Sequence, residues 1–359
     1  MKSKLSPHQL SLLVFMNILG TAIVFIPTIA TTYGKENGWV SVVVAVLVGL
    51  ILLMLYPSLI MNGKGNFFDR IEYQIGSIGA KALIVLLVLF GFFMTIGNIW
   101  SLSQFISVQI LMGTPPEVIA YTITFVSLYA IRSGLEVIAR SVEVFFLFTM
   151  MSLLLLAIFV WPETSFDHLL PIMQLNQTNA FVGAIPVLAI TYVEVVILIA
   201  LIPHVNDETK VRKSFLIGGA LAGICMIVVT VATIAVIGVE ATTHYTYSIY
   251  RLGQNIQIAE FFDRIEGIVA FIWFFTIFFK ISTTFYILMI STQYLFKVNH
   301  QKVFSAPLAL LLIAASKSSL PNIFYDFELM RSTYLTLSYL VMIIVVLSIG
   351  LSRLKRSNY

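Results

Sequence analysis

Long apolar runs follow one another along the whole chain and are separated by short polar segments. A transmembrane helix needs about 20 predominantly apolar residues, and windows of about 19 residues locate ten such stretches. They lie near residues 9–32, 39–61, 82–112, 116–132, 143–161, 183–203, 215–239, 266–292, 304–320 and 330–352. The pattern predicts an all-α polytopic membrane protein with about ten transmembrane helices, and nine or eleven spans remain compatible with it.

Composition changes this picture only by excluding a sizeable soluble domain. Hydrophobic residues make up 59% of the 359 positions, the mean hydropathy is +0.97, and 11% of the residues are charged. A soluble domain needs charged positions spread over its surface, and no stretch of this chain has that density. We therefore expect a single transmembrane domain over residues 1–359.

Positive charge is distributed unequally between the two sides of the predicted bundle. One side carries fifteen Lys and Arg residues, which are Lys2, Lys4, Lys64, Arg70, Lys81, Arg132, Arg140, Lys210, Arg212, Lys213, Lys297, Lys302, Arg353, Lys355 and Arg356. The other side carries five, which are Lys35, Arg251, Arg264, Lys317 and Arg331. Cytoplasmic loops hold the excess of Lys and Arg, so both termini are predicted to be cytoplasmic. The same asymmetry accounts for the net charge of +4, and it indicates no nucleic-acid partner.

The hexapeptide FFDRIE occurs twice, at residues 67–72 and 261–266. The two copies precede the third and eighth predicted spans and lie on opposite sides of the membrane. Two five-helix halves inserted in opposite senses would place equivalent segments in this way. The alternative is two amphipathic segments with independent origins, since the flanking residues do not match. An inverted repeat predicts halves at residues 1–165 and 166–359.

Spans 1 and 6 contain residues that favour an interrupted helix. Gly20, Thr21 and Ala22 lie midway along span 1, whereas span 6 contains Pro186 and, near its centre, Glu194. In inverted-repeat transporters the substrate and ion sites near the midplane are formed by discontinuous helices. We therefore expect broken helices 1 and 6, with a packing face of small residues as the alternative for span 1.

Polar residues in the spans indicate a central small-molecule pocket. Glu194 and Lys280 lie near the centres of spans 6 and 8, where a charged residue costs about 2.5–3.5 kcal/mol. Polar side chains at helical spacing form further stripes on spans 1, 3 and 8, which ordinary helix packing explains less well than a shared pocket. The residues predicted to bind the ligand are Gly20, Thr21, Ala22, Asn98, Tyr192, Glu194, Thr283 and Thr284.

Two roles are open for the buried charges. Glu194 and Lys280 could form a structural ion pair in which each compensates the other. Alternatively, Lys280 stabilises the first helix directly, as a cation bound at an ion site would, and Glu194 belongs to the pocket wall or to a polar network. We favour the second role.

Other chemistry finds little support in the sequence. The single Cys225 cannot form an intrachain disulfide, and the five histidines are scattered. We find no nucleophile and base arrangement, phosphate-binding loop or metal motif, so we expect no enzyme activity, no cofactor and no metal.

Several segments resemble the B subunits of spore germinant receptors, the endospore germination permease family of the amino acid–polyamine–organocation superfamily. They are LSPHQLSLLVFMNILGTAIVFIP at the start, GLEVIARSVEVFF before span 5, FDHLLPIM in the following loop, and FFDRIEGIVAFIWFFTIFFKIS entering span 8. In the last of these, Phe262, Arg264, Glu266, Trp273 and Lys280 occupy family-like positions. The resemblance implies a ten-helix fold with inverted five-helix halves and broken helices 1 and 6.

The resemblance also implies a function. It predicts a nutrient-sensing subunit in the inner membrane of a bacterial spore, acting with an A-type membrane subunit and a C-type lipoprotein. The nutrient is expected to be a small molecule such as an amino acid, or a sugar. A proton-coupled amino-acid transporter of the same fold is the alternative, because a fold alone does not determine function.

Overall fold

A helix lies on each of the ten predicted spans. The computed structural model describes residues 5–60, 65–170, 177–256, 265–298, 302–319 and 330–357. In these ranges the α-helices are α1 Pro7–Gly34, α2 Gly38–Ser58, α3 Phe67–Phe105, α4 Pro116–Ser133, α5 Leu135–Val160, α6 Gln177–Leu188, α7 Val211–His244, α8 Ser248–Asn255, α9 Glu266–Phe296, α10 Ser305–Ser319 and α11 Leu335–Ser357. All except the short α8 coincide with a predicted span, so the sequence pattern located the long helices correctly.

Length and hydropathy support a polytopic membrane protein. Among the described residues, seven helical stretches are long and apolar enough to cross a membrane, and the first of them, Pro7–Ser58, contains both α1 and α2. Ser305–Lys317 in α10 is apolar but shorter. The all-α polytopic class is therefore confirmed.

The starts of α1 and α3 follow from their local sequence. Ser6 and Gln9 form a capping box at α1, and Pro7 occupies the first turn, where a missing N–H is tolerated. Asn66 and Asp69 form an equivalent box at α3. These bonds satisfy N–H groups that a helix start leaves free, so both helices begin at fixed positions.

The contacts between helices repeat after a shift of five helices along the chain. Helix α1 packs on α7 and α2 packs on α6, whereas α9 packs on α5 and α4, and α3 packs on α11 and α10. Without the short α8, helices α9, α10 and α11 are the eighth, ninth and tenth long helices. A shift of both partners by five helices then relates the α1–α7 contact to α6–α2, the α5–α9 contact to α11–α3, and the α4–α9 contact to α10–α3. This is the arrangement expected of two equivalent five-helix halves.

Helices 1 and 6 differ in how far they are interrupted. Helix α1 continues through Gly20, Thr21 and Ala22, so the predicted break in the first helix is wrong for this structure. After α6 the chain changes to a π-helix at Ala189–Val193 and then to a 3₁₀-helix at Glu194–His204. Close packing of Gly20 against α9 explains the glycine in α1 without a break, as described below.

The first FFDRIE segment forms an arm at the start of α3. The arm ends at Gly76, where φ is 78° and ψ is 168°, and the membrane-crossing part of the helix follows. Four of the six residues of the second copy, 261–264, lie outside the described residues. The proposed equivalence of the two copies therefore stays a prediction, as do the two halves.

The structure groups the loops as the charge asymmetry predicts. At one end, Leu5 pairs with Val205, the Ser214 hydroxyl donates to the Pro7 carbonyl, and Arg70 contacts Glu208. Hydrogen bonds from Thr209 and Lys210 lower the pKa of the exposed Asp207 carboxyl in this loop. At the other end, the Thr28 hydroxyl donates to the Tyr245 carbonyl, and the Ser165 amide donates to the Ala235 carbonyl.

Candidate functional site

Lys280 and Glu194 form an ion pair inside the bundle. The Lys280 ammonium on α9 donates a hydrogen bond to the Glu194 carboxylate, which begins the 3₁₀ segment after α6. Their side chains are 0% and 2% exposed. A charge in such an environment needs a partner, because burial removes its hydration. The structure therefore contains the ion pair, which was one of the two roles that the sequence left open for these residues.

The same ammonium also contacts the first helix. Lys280 Nζ donates to Thr21 Oγ1 at 2.6 Å, and the Thr21 hydroxyl in turn donates to Asn98 Oδ1 at 3.0 Å. The Asn98 amide nitrogen donates to the Met94 carbonyl of α3 at 2.7 Å. This chain of hydrogen bonds connects α9, α1 and α3, so Lys280 is both an ion-pair partner and a contact of helix 1.

Tyr334 completes the cluster from the last helix. Its hydroxyl donates to Glu194 Oε1, the carboxylate oxygen that does not contact Lys280. Tyr334 ends the π-helix Met330–Tyr334 that leads into α11, and its ring lies 6.4 Å from the ring of Phe90. Sequence analysis did not identify this role, because a Tyr near the end of a span is ordinary at a membrane interface.

Gly20 allows α1 and α9 to approach closely. A Cβ atom at Gly20 would lie 2.9 Å from the Thr276 carbonyl oxygen and 3.0 Å from Lys280 Cβ. The Trp273 indole donates to the Gly20 carbonyl at 2.7 Å. Gly20 thus positions Lys280 against helix 1. Because α1 is continuous, Gly20, Thr21 and Ala22 do not offer the free backbone N–H groups that a broken helix would present to a ligand.

Three of the other residues that were predicted to bind the ligand lie near the cluster. Thr284 lies on α9 one turn beyond Lys280, and the Thr95 hydroxyl of α3 donates to it at 3.2 Å. Ala22 and Thr283 are buried on α1 and α9. These residues lie on the helices that form the cluster, and the Thr284 hydroxyl also donates to the backbone carbonyl of Lys280 at 2.9 Å.

Tyr192 lies elsewhere. Its hydroxyl donates to the Gly219 carbonyl on α7 at 2.9 Å and lies against Gly223, and its ring packs on Gly49 of α2. Tyr192 and Glu194 are two residues apart on one helix and therefore face in different directions. The expectation that Tyr192 lines the ligand pocket with Glu194 is not supported by this geometry.

Cavities lie at both ends of the bundle. At the end with the N-terminus, two cavities of about 520 and 860 Å³ share Asn66, His204 and Tyr286. At the other end, a cavity of about 550 Å³ is lined by Gln104, Gln109, Arg251 and neighbouring residues. Neither Lys280 nor Glu194 lines any of these three cavities. The ion pair is therefore enclosed between them.

An aromatic layer separates the last of these cavities from Gly20. Tyr247 lines that cavity, and its ring centroid lies 5.8 Å from Phe25, 5.0 Å from Phe105 and 6.0 Å from Trp273. Trp273 donates to Gly20 and is fully buried. These rings exclude water from one side of the ion pair, which strengthens the electrostatic interactions inside.

The arrangement consists of groups that can bind a polar molecule. It offers an ammonium, a carboxylate, two hydroxyls and an amide in an enclosed space. Among the described residues, no three His, Cys, Asp or Glu side chains are grouped as a metal site would require. Cys225 is a free thiol on α7.

The long apolar helices and the charged pair buried among them define a polytopic membrane protein. The chain belongs to the Spore_permease family, whose description is "Spore germination protein" and whose family model matches residues 4–324. That match covers most of the chain and confirms the resemblance noted from the sequence.

Two curated relatives come from Bacillus subtilis strain 168. The chain is 23% identical over 322 residues to spore germination protein KB, a match that covers 88% of this chain and 85% of that protein. It is also 23% identical over 332 residues to spore germination protein YndE, with 89% and 88% covered.

Solved structures with the same fold include a membrane symporter. A Na⁺-coupled sialic acid symporter in a substrate-bound outward-open state superposes with a TM-score of 0.71 at 11% identity, covering 97% of this chain and 79% of that one. MhsT in complex with L-phenylalanine gives a TM-score of 0.70 at 13% identity, covering 97% and 89%. At such identities the likeness shows the fold alone, and it agrees with the inverted-repeat architecture.

Proposed function

We propose that this protein is the germinant-binding membrane subunit of a spore germination receptor and that it binds a small nutrient, such as an amino acid, at the Lys280–Glu194 cluster. The observation that carries the proposal is the enclosed ion pair, which connects α1, α9 and the segment after α6 in a chain of the spore germination family. Buried charged residues inside a membrane protein are costly and generally functional.

Binding would act through the hydrogen bonds that hold the cluster together. A ligand with its own donor and acceptor groups competes for Lys280, Glu194 and Thr21, and each exchanged bond alters how α1 packs on α9. A ligand shifts a conformational equilibrium only by its difference in affinity for the two states. These contacts supply that difference, because they belong to separate helices.

The proposal includes the setting of the protein. It places the chain in the inner membrane of a bacterial spore, with both termini cytoplasmic, together with an A-type membrane subunit and a C-type lipoprotein. The names of the relatives support a role in germination. It further assigns no catalytic role to the chain, since the cluster offers binding groups only.

Thr21→Val tests the proposed site with little change in side-chain volume. Loss of the hydroxyl removes the bonds to Lys280 and Asn98, so we expect the nutrient concentration for half-maximal germination to rise about tenfold or more. Thr122→Val is the matched control, since the Thr122 hydroxyl is exposed on α4 and bonds only to its own helix at Val118. A normal response of Thr21→Val spores at equal protein abundance would place the nutrient elsewhere.

A proton-coupled amino-acid transporter is the second candidate. The cavities at both ends of the bundle favour it, because alternating access uses an enclosed site that can be reached from either side. Purified protein in liposomes separates the candidates. Saturable net uptake of an amino acid without partner subunits, driven by a proton gradient, supports the transporter, whereas saturable binding without uptake supports the receptor subunit.

A further inference from the structure

Asn17 is a buried polar residue that the ion-pair cluster does not use. Its side chain is 1% exposed on α1, and within the described part of the chain neither its amide oxygen nor its amide nitrogen has a hydrogen-bond partner. A buried amide normally bonds, because an unsatisfied polar group loses its hydration without compensation. The amide of Asn17 therefore calls for a polar partner other than the described residues, and a bound ligand would supply one.

The helical register places Asn17 beside the cluster. Asn17 precedes Thr21 by four residues in the continuous helix α1, so the two side chains lie on the same face, one turn apart. Thr21 contacts both Lys280 and Asn98. A ligand of a few heavy atoms that touches the ion pair can therefore reach Asn17 as well.

The contacts of the cluster have no net charge. Lys280 and Glu194 contribute one positive and one negative charge, and their other hydrogen-bond partners are the neutral side chains of Thr21 and Tyr334. A ligand with a net charge would bring an uncompensated charge into an enclosed site, which is strongly unfavourable. A zwitterion or an uncharged polar molecule would not.

We propose that Asn17 is a ligand-binding residue and that the site it shares with Lys280 and Glu194 selects small polar ligands of zero net charge. This inference rests on the proposed function and specifies its ligand class. The Asn17 amide offers two donors and one acceptor group, and it binds the polar part of the ligand that faces away from the aromatic layer. For a zwitterion, the ligand carboxylate pairs with Lys280 and the ligand ammonium with Glu194.

The charge rule is tested with ligands that match in shape and differ in charge. The full-length protein in lipid nanodiscs is titrated with L-asparagine and L-aspartate, with L-norleucine and L-lysine, and with D-glucose as an uncharged ligand that is not a zwitterion. We expect at least one neutral probe to bind and its charged counterpart to bind about 100-fold more weakly or not at all.

Variants at the ion pair should move this preference in opposite directions. Glu194→Gln leaves a net positive site and is expected to improve binding of L-aspartate relative to L-asparagine. Lys280→Met leaves a net negative site and should favour L-lysine over L-norleucine. A purely structural pair would lower all affinities together, so the direction of the change is the informative readout.

Asn17 is tested with Asn17→Asp and Asn17→Leu. Asn17→Asp adds a negative charge at nearly constant volume and is expected to improve binding of L-lysine relative to L-norleucine. Asn17→Leu should weaken binding of the neutral probe about tenfold. Thr230→Val is the matched control, because the Thr230 hydroxyl on α7 is also buried without a partner in the described residues.

The outcomes separate this inference from the proposed function. Failure of every probe to bind the wild-type protein counts against the proposed function. Equal binding of charged and neutral members of a pair overturns the charge rule alone. Unchanged affinity and unchanged charge preference in both Asn17 variants show that the amide holds only an ordered water, and they overturn the assignment of Asn17. Binding of D-glucose alone supports the charge rule and identifies a ligand that is not a zwitterion.

Discussion

At the scale of single residues, the two charges of the central pair depend on each other. Lys280→Met leaves Glu194 buried without its cation, and Glu194→Gln leaves Lys280 without its carboxylate, so each single change should destabilise the fold by about 3–5 kcal/mol. The double variant buries no unpaired charge. We expect membrane abundance and the thermal unfolding midpoint to fall in both single variants and to recover in the double variant.

The double variant also separates stability from response. It lacks the charges that the proposed ligand contacts, so spores that carry it should contain normal amounts of protein and yet fail to respond to nutrient. Recovery of both abundance and response would reduce the pair to a structural role. Low abundance in the double variant at the level of the single variants would contradict the mutual compensation itself.

Gly20 is the second residue whose role the geometry makes testable. Gly20→Ala would place a methyl group 2.9 Å from the Thr276 carbonyl oxygen, so α1 and α9 must move apart. We expect a loss of about 1–3 kcal/mol in the free energy of unfolding. Gly97→Ala is the control, since nothing lies within 4 Å of the added atom on α3. Equal unfolding midpoints for the two variants would refute the close approach.

At the scale of elements, the arm at the start of α3 makes hydrogen bonds and a ring contact with three neighbouring parts of the chain. Arg70 donates to both carboxylate oxygens of Glu208 and to the carbonyls of Ile60 and Gly65. Tyr294 at the end of α9 donates to Glu72 and stacks on Phe68 with ring centroids 4.5 Å apart. The arm therefore connects the α2–α3 loop, the α6–α7 loop and α9.

Arg70→Lys tests this connection while the charge is kept. Lysine cannot reproduce the paired donation of a guanidinium, and the buried Ile60 carbonyl would lose its donor, so we expect a loss of about 1–3 kcal/mol in the free energy of unfolding. Arg140→Lys is the matched control, because the Arg140–Glu136 pair has the same 2.6 Å distance and is exposed. Exposed pairs contribute little, so the control should be nearly neutral. Similar losses in both variants would show that burial of Arg70 is unimportant.

At the scale of the whole molecule, the loops that contact each other should be accessible from one side of the membrane. In a Cys225→Ala background, Lys210→Cys should be labelled from the cytoplasmic side and Glu163→Cys from the opposite side, because positive charge is concentrated in cytoplasmic loops. A membrane-impermeant maleimide applied to oriented vesicles measures this. Labelling of position 210 from the outer side would contradict the proposed orientation.

The sequence contained enough information to place the long helices and to identify Lys280 and Glu194, since both signals are local. Hydropathy requires only a window of about 20 residues, and a charge in an apolar span is conspicuous. It could not reveal Tyr334 as a partner of Glu194, because that contact joins residues 140 positions apart. The unbroken α1 was also missed: Gly20 weakens an isolated helix, but here tertiary packing on α9 overrides that propensity.

Tyr192 has a consequence for how this protein can evolve. Its ring fills a slot in which Gly49 and Gly223 have no side chains, and a Cβ atom at either position would lie 2.2 or 2.6 Å from atoms of Tyr192. A larger residue at Gly49 is tolerated only if position 192 becomes smaller, and a larger residue at Gly223 also requires Val46 to move, because the added Cβ atom would lie 2.6 Å from Val46 Cγ1. In an alignment of spore germination permeases, we expect these positions to covary in volume, and a mutational scan should show that Tyr192→Ala rescues Gly49→Ala. Independent variation at the three positions would mean that other helices adjust to fill the space.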